Sequence, residues 1–128
     1  MKMKNLPAIS ILSVIALGAV LIILFQSKGE ISGKELDYFA KCLADKGAVM
    51  YGADWCPHCQ NEKKAFGDSF RFISYVECPN EPNLCLQKQV QGYPTWIFGD
   101  GNRFEGEQGL ERLSKLSGCS LPAEVEIP

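Results

Sequence analysis

The sequence has a single histidine, His58, so no hydrolytic His-based triad can be assembled elsewhere in its 128 residues. It also lacks any run of lysine or arginine. Its 13 basic residues face 15 acidic ones, and two of the basic ones, Lys2 and Lys4, sit at the extreme N-terminus. Setting those two aside leaves a net charge of about −4 for the rest. A nucleic-acid backbone would find no electrostatic footing there, so nucleic acid is excluded as a partner. Internal repeats and low-complexity segments are missing. Charge itself is missing from one stretch, residues 6–25.

That uncharged stretch is what the N-terminus offers instead. Twenty residues at about 1.5 Å each give roughly 30 Å of helix, the hydrocarbon thickness of a bilayer. Lys2 and Lys4 precede it, and positive charge beside a span stays cytoplasmic. The expected layout is a cytoplasmic N-terminus (1–5), a single transmembrane anchor (6–25), a polar linker (26–31), a folded domain (32–120) and a C-terminal tail (121–128). A cleaved signal peptide is the competing reading. Its apolar region is usually shorter and ends at small residues, whereas this run closes on Leu24-Phe25-Gln26-Ser27. Either reading exports the domain, to the periplasm or the cell exterior, where disulfides persist.

Six cysteines lie beyond the apolar stretch: Cys42, Cys56, Cys59, Cys78, Cys85 and Cys119. An even count at this density suggests bridges in an oxidising compartment. A small core of this length would gain from such staples.

Ser32-Gly33-Lys34-Glu35 fits a capping box, and Leu36, Phe39, Ala40 and Leu43 follow at helical spacing, which predicts a helix over 33–46 stopped by Gly47. Residues 48–52 read as a buried strand. Asp54-Trp55-Cys56 reads as a turn, with Pro57 at the first position of a helix reaching Phe66 or Gly67. Residues 72–76 are rich in β-formers and read as a second strand. Asn83 is placed to cap a short helix extending to Val90. Residues 95–98 form a third strand, Gly99-Asp100-Gly101-Asn102 a hairpin turn, and 103–105 a fourth strand. Leu110, Leu113 and Leu116 stripe a closing helix ended by Gly118. Alternation followed by a hairpin predicts an α/β domain whose mixed four-stranded sheet is flanked by helices.

The chemistry concentrates in Trp55-Cys56-Pro57-His58-Cys59. A C-x-x-C between a strand and a helix sets Cys56 at the helix N-terminus, where free amides and the positive end of the dipole favour a thiolate. Cys59 lies one turn further in, within reach of a mixed disulfide on Cys56. A protonated His58 would add positive charge and make the disulfide form the better oxidant, so the pair leans towards donating disulfides. As a structural staple the pair is poor, because the loop it closes has little entropy to lose. A four-cysteine zinc site from Cys56, Cys59, Cys78 and Cys85 is a third reading. Its weakness is that strands and helices intervene where such sites use loop knuckles. Cys78 and Cys85 are expected to form a structural bridge worth roughly 2–3 kcal/mol, with a second redox pair as the alternative. Cys42 and Cys119 could pair, but the first and last helices of such a fold are expected to lie on opposite faces, so a buried thiol and a loop thiol are equally open.

Together with Gly92-Tyr93-Pro94-Thr95-Trp96, the W-C-P-H-C segment resembles the thioredoxin superfamily. Met50-Tyr51-Gly52-Ala53 and Tyr75-Val76-Glu77-Cys78 resemble, more narrowly, the thioredoxin-like domains fused to bacterial vitamin K epoxide reductase homologues. The resemblance covers roughly residues 36–119, although C-P-H-C alone also occurs in DsbA-type oxidants. It implies a thioredoxin-like fold with Cys56 as nucleophile and Cys59 as resolving thiol. Trp55, Pro57, His58, Tyr93 and Pro94 would support them, and Pro94 would be a cis-proline facing the pair. It implies no bound cofactor or metal. Exported cysteine-containing proteins would be the substrates, and a separate vitamin K epoxide reductase-like membrane protein, passing electrons to quinone, the partner. A disulfide reductase or isomerase is the runner-up. In one respect the sequence departs from many thioredoxins, which bury an acid six residues before the first active-site cysteine; here that place holds Met50. Proton handling then falls to water or to Glu62, Lys63 or Lys64.

Overall fold

A computed structural model describes residues 14–21 and 33–122, with the side chains of the second stretch described from residue 36. The chain divides into two units, residues 1–30 and 31–128. Of the first, residues 14–21 are helical. Most of the expected anchor, the linker and the Ser32 end of the expected capping box lie outside the described residues. Among the described residues, no helix is long and apolar enough to cross a membrane.

In the second unit the order is α1 (Gly33–Asp45), β1 (Val49–Gly52), α2 (Pro57–Phe66), a 3-10 segment (Gly67–Phe72), β2 (Ser74–Glu77), α3 (Pro82–Gln87), β3 (Thr95–Ile97), β4 (Arg103–Glu105) and α4 (Gly109–Ser117). The sheet runs β2-β1-β3-β4. β1 is parallel to β2 and antiparallel to β3, which pairs antiparallel with β4 through the Gly99–Asn102 turn. This is the mixed four-stranded α/β sheet of the thioredoxin-like fold.

Strand alternation sorts the core. Met50 and Trp96 are paired in register and point to one face, where they join Phe39, Leu43, Phe66, Leu110 and Leu113 in a single buried cluster. Phe66 stacks on Phe39 at 5.9 Å between ring centroids and reaches Trp96 at 6.3 Å. Full burial of such side chains contributes about 1.5–3 kcal/mol each. Tyr51 points the other way and packs with Cys78 and Cys85. So α1, α2 and α4 cover one face, and α3 with its flanking loop covers the other.

This layering corrects the expectation that the first and last helices lie on opposite faces. Because they share a face, Cys42 on α1 and Cys119, just past α4, meet and are bridged. Cys78 and Cys85 form a second bridge. Two element boundaries are corrected as well. The second strand begins at Ser74, because Phe70 in the preceding 3-10 segment turns inward to contact Phe66 and Tyr75. The short helix starts at Pro82 after Glu81 and ends at Gln87, since proline suits the first helical position better than asparagine fits the cap here. Gly47 ends the first helix region with φ +68, and a side chain there would strike the Cα of Gly99 at 2.9 Å. Two backbones pass there with no room for a Cβ.

Candidate active site

β1 leads through Ala53, Asp54 and Trp55 into α2, and Cys56 is the residue that caps that helix, with extended backbone (φ −78, ψ 121) and Pro57 just inside. Cys56 is nearly buried, and its Sγ points at the carbonyl of Tyr93, 3.6 Å away. The Tyr93–Pro94 peptide is cis. Trp55 is 68% exposed and meets the Tyr93 ring edge-on at 6.0 Å. The structure thus brings Trp55, Cys56, Pro57, Tyr93 and Pro94 to one end of the sheet. Cys59 lies one turn along α2 and is fully buried. Both motif cysteines are free thiols while the other four are bridged.

The strand must come close to admit Cys59. A Cβ added to Gly52 would lie 2.7 Å from the Cys59 sulfur and 3.5 Å from the Tyr75 hydroxyl. Burial, above all, pushes the Cys59 thiol up to about 11, and hydrogen bonding from Cys56 adds to it; a backbone contact at Ala53 and the Lys63 ammonium pull it back. The two sulfurs are therefore unequal. One ends a helix beside an exposed aromatic; the other is sealed beneath it and keeps its proton.

His58 is exposed, and its Nδ1 lies 3.0 Å from the Glu107 carboxylate, which also accepts a bond from Asn61 at 3.2 Å. These two hydrogen bonds, His58 first, hold Glu107 below the usual carboxylate range. Any positive charge on His58 is thus shared with Glu107, which tempers its pull on the active-site pair.

Of the three residues named for proton handling, Glu62 is otherwise engaged. It is fully buried. Its Oε2 accepts from the Trp96 indole at 2.7 Å and the Gln108 amide at 3.1 Å, and its Oε1 accepts from the Gly109 amide at 2.6 Å. It satisfies the first amides of α4, as a carboxylate at a helix N-terminus should, and it ties α2 to α4. Lys64 is exposed. Lys63 instead reaches Asp54 at 2.5 Å and lies over the Tyr75 ring. Met50, in the place of the missing acid, is fully buried opposite Tyr75.

Sequence reasoning missed Glu107, Asp54, Tyr75 and Glu77 as members of this site. Glu77 accepts the Tyr75 hydroxyl and, at 3.0 Å, the Asp54 amide. Burial first, then the Glu77 hydrogen bond and charge, push the Tyr75 phenol far above its usual range. The pairing of β1 with β2 was the signal available, since it sets Glu77 beside Gly52, just ahead of the motif. No sequence signal points to Glu107, which arrives from the loop after β4.

The four-cysteine zinc reading needs four convergent thiolates. Cys78 and Cys85 are joined to each other on the other face of the sheet from Cys59, so the set does not converge. What remains is a nearly buried sulfur at a helix N-terminus, a fully buried partner one turn away, and a rim made by exposed Trp55, the Tyr93 ring and the Tyr93 carbonyl. That arrangement can attack or receive a disulfide.

No family model matches the chain. It is 36% identical over 104 residues to thiol-disulfide oxidoreductase LTO1 of Arabidopsis thaliana, covering 72% of this chain and 27% of that protein. Protein disulfide isomerase-like 2-2 of Oryza sativa subsp. japonica is 31% identical over 98 residues, 65% of this chain and 26% of that protein. Probable protein disulfide-isomerase A6 of Medicago sativa is 32% identical over 98 residues, with coverage of 65% and 27%. The chain thus spans about a quarter of the length of these curated relatives. Mitochondrial thioredoxin 3 of Saccharomyces cerevisiae, in its oxidised form, matches with a TM-score of 0.37 at 18% identity, over 56% of this chain and 74% of that one. Sheet order, motif placement and sequence likeness agree: over this domain the chain is similar to thioredoxin-like thiol–disulfide oxidoreductases.

Proposed function

We propose that the protein exchanges disulfides through Cys56 and Cys59 outside the cytoplasm, anchored in the membrane by residues 6–25, and that it oxidises exported protein thiols. A separate vitamin K epoxide reductase-like, quinone-coupled membrane protein would reoxidise the pair. One observation carries the chemistry: of six cysteines, only these two are free, and they sit at and just inside a helix N-terminus. Bridging of the other four fits an oxidising compartment. The anchor is supported by the uncharged run and by the exposed Val14, Ile15, Leu17, Val20 and Leu21 on the helical residues 14–21. The membrane partner rests on the motif resemblance.

In the oxidising direction a substrate thiolate attacks Cys56 of the Cys56–Cys59 disulfide and Cys59 departs. A second substrate thiolate then displaces Cys56 and carries away the disulfide, leaving both protein thiols reduced. A reductase or isomerase running the other way is the second reading, favoured by the contact that turns His58 towards the Glu107 carboxylate.

The reduction potential of the pair in the full chain decides between them. A value above about −200 mV is expected, and a value near −270 mV, that of thioredoxin, would reverse the direction. Adding membranes that contain a quinone-coupled thiol oxidase should reoxidise the pair; failure to do so removes the proposed partner.

A further inference from the structure

A buried thiol at the centre of an exchange reaction needs its charged form stabilised at the moment it attacks or leaves. The place where many thioredoxins bury an acid for the resolving thiol holds Met50 here, and the buried Glu62 is committed to Trp96 and the amides of Gln108 and Gly109. We propose that Lys63 is the positioning residue for this step, its ammonium lodged between Asp54 and Tyr75 so as to stabilise the Cys59 thiolate. The proposal rests on the exchange chemistry above and deepens it.

The placement follows from the helix. Lys63 is four residues beyond Cys59, so both project from the same side of α2. Two contacts pin the side chain: the Asp54 carboxylate at 2.5 Å, and the Tyr75 ring, whose centroid is 3.9 Å from Nζ. Tyr75 and the Cys59 sulfur border the same point beside Gly52. Ring, ammonium and sulfur therefore form one cluster. The Lys63 side chain is only 26% exposed, which limits solvent screening of its charge.

The groups facing Cys59 do not compete for the role. From its own helix end comes Cys56. From β2 comes Tyr75, beside whose phenol stand Glu77 and, from the β1–α2 turn, Asp54. The Tyr75 hydroxyl donates to Glu77, so its proton is committed there. Glu77 and Asp54 are anionic and oppose a thiolate. Lys63 is the cation of the cluster, and its charge favours ionised Cys59 against burial.

The step balances in both directions. In the reducing direction the Cys59 thiol gives its proton to solvent, and its electron pair forms the Cys56–Cys59 bond. The Cys56–substrate S–S bond breaks, and the departing thiolate takes a proton from solvent. In the oxidising direction Cys59 leaves as the thiolate and is protonated afterwards. The same ammonium serves both.

The test mixes the reduced full chain with oxidised glutathione at a series of pH values, quenches in acid, and measures the Cys56–glutathione adduct and its resolution by mass. Lys63→Met and Lys63→Gln are each expected to slow resolution roughly tenfold near neutral pH and to move its pH midpoint up by about one unit. Lys63→Arg should restore both, and the rate of Cys56 alkylation should stay within about twofold of wild type in all three. A purely structural role would leave the pH midpoint unmoved. Wild-type resolution in Lys63→Met, or a parallel loss of Cys56 alkylation, overturns the proposal. If the wild-type chain formed no adduct, the exchange reading itself would fall and this one with it.

Discussion

Cys56→Ser is expected to reduce disulfide exchange to background, a loss of roughly a thousandfold or more, because the attacking or attacked sulfur is gone. Cys59→Ser should behave differently. It retains Cys56 at the helix N-terminus but removes the group that releases a bound substrate, so mixed disulfides accumulate and can be isolated by mass. The asymmetry follows from burial. Cys56 lies at the rim beside exposed Trp55, and Cys59 lies fully buried one turn below. Neither substitution should alter the Cys42–Cys119 or Cys78–Cys85 bridges. Equal behaviour of the two variants in both assays would contradict the assigned roles.

Glu62→Ala should be the most destabilising single change away from the sulfurs. It strips the acceptor from three donors at once, the Trp96 indole and the amides of Gln108 and Gly109, inside a fully buried site. Each donor left unsatisfied costs about 1–3 kcal/mol, so a loss of about 5 kcal/mol is expected. For a domain of this size that lowers Tm by roughly 20 °C or more. Glu62→Gln keeps one acceptor oxygen and should cost about half as much. Thermal melts followed by circular dichroism measure both. At temperatures where Glu62→Gln is still folded, it should exchange disulfides at the wild-type rate, since Glu62 serves the α2–α4 junction. A stable Glu62→Ala protein that had lost exchange would instead make Glu62 part of the chemistry.

Much of this fold was legible because local signals agreed with the tertiary answer. The strand, turn and proline-led helix around Cys56 are set by residues adjacent in sequence, and the closing helix ends at Gly118, which adopts the left-handed conformation at φ +72. The failures came where packing overrode propensity. Phe70 and Phe72 suit a strand, yet a 3-10 segment lets Phe70 reach Phe66 and Tyr75. Likewise the Cys42–Cys119 bridge depends on α1 and α4 sharing a face, which no local pattern reveals.

In the candidate site, the placement of the cysteine pair and of the rim around it was legible from the motif alone. The electrostatics around it were not. Glu62 sits three residues after Cys59 and looked available for proton transfer; only the position of the α4 N-terminus shows that it is committed elsewhere. Glu107 faces His58 from 49 residues away. Tyr75 joins Cys59 only because β2 pairs in register with β1. Charges that meet through the fold carry no signature in the chain.

Alkylation of the mildly reduced full chain, mapped by mass, bears most directly on the central claim that two unequal thiols, one reactive and one sealed, perform the exchange. The prediction is a single adduct on Cys56 at about pH 7, with Cys59 unmodified until the pH approaches 11 and all four remaining cysteines still bridged. Modification of Cys59 first, or inertness of Cys56 under the same conditions, would contradict it.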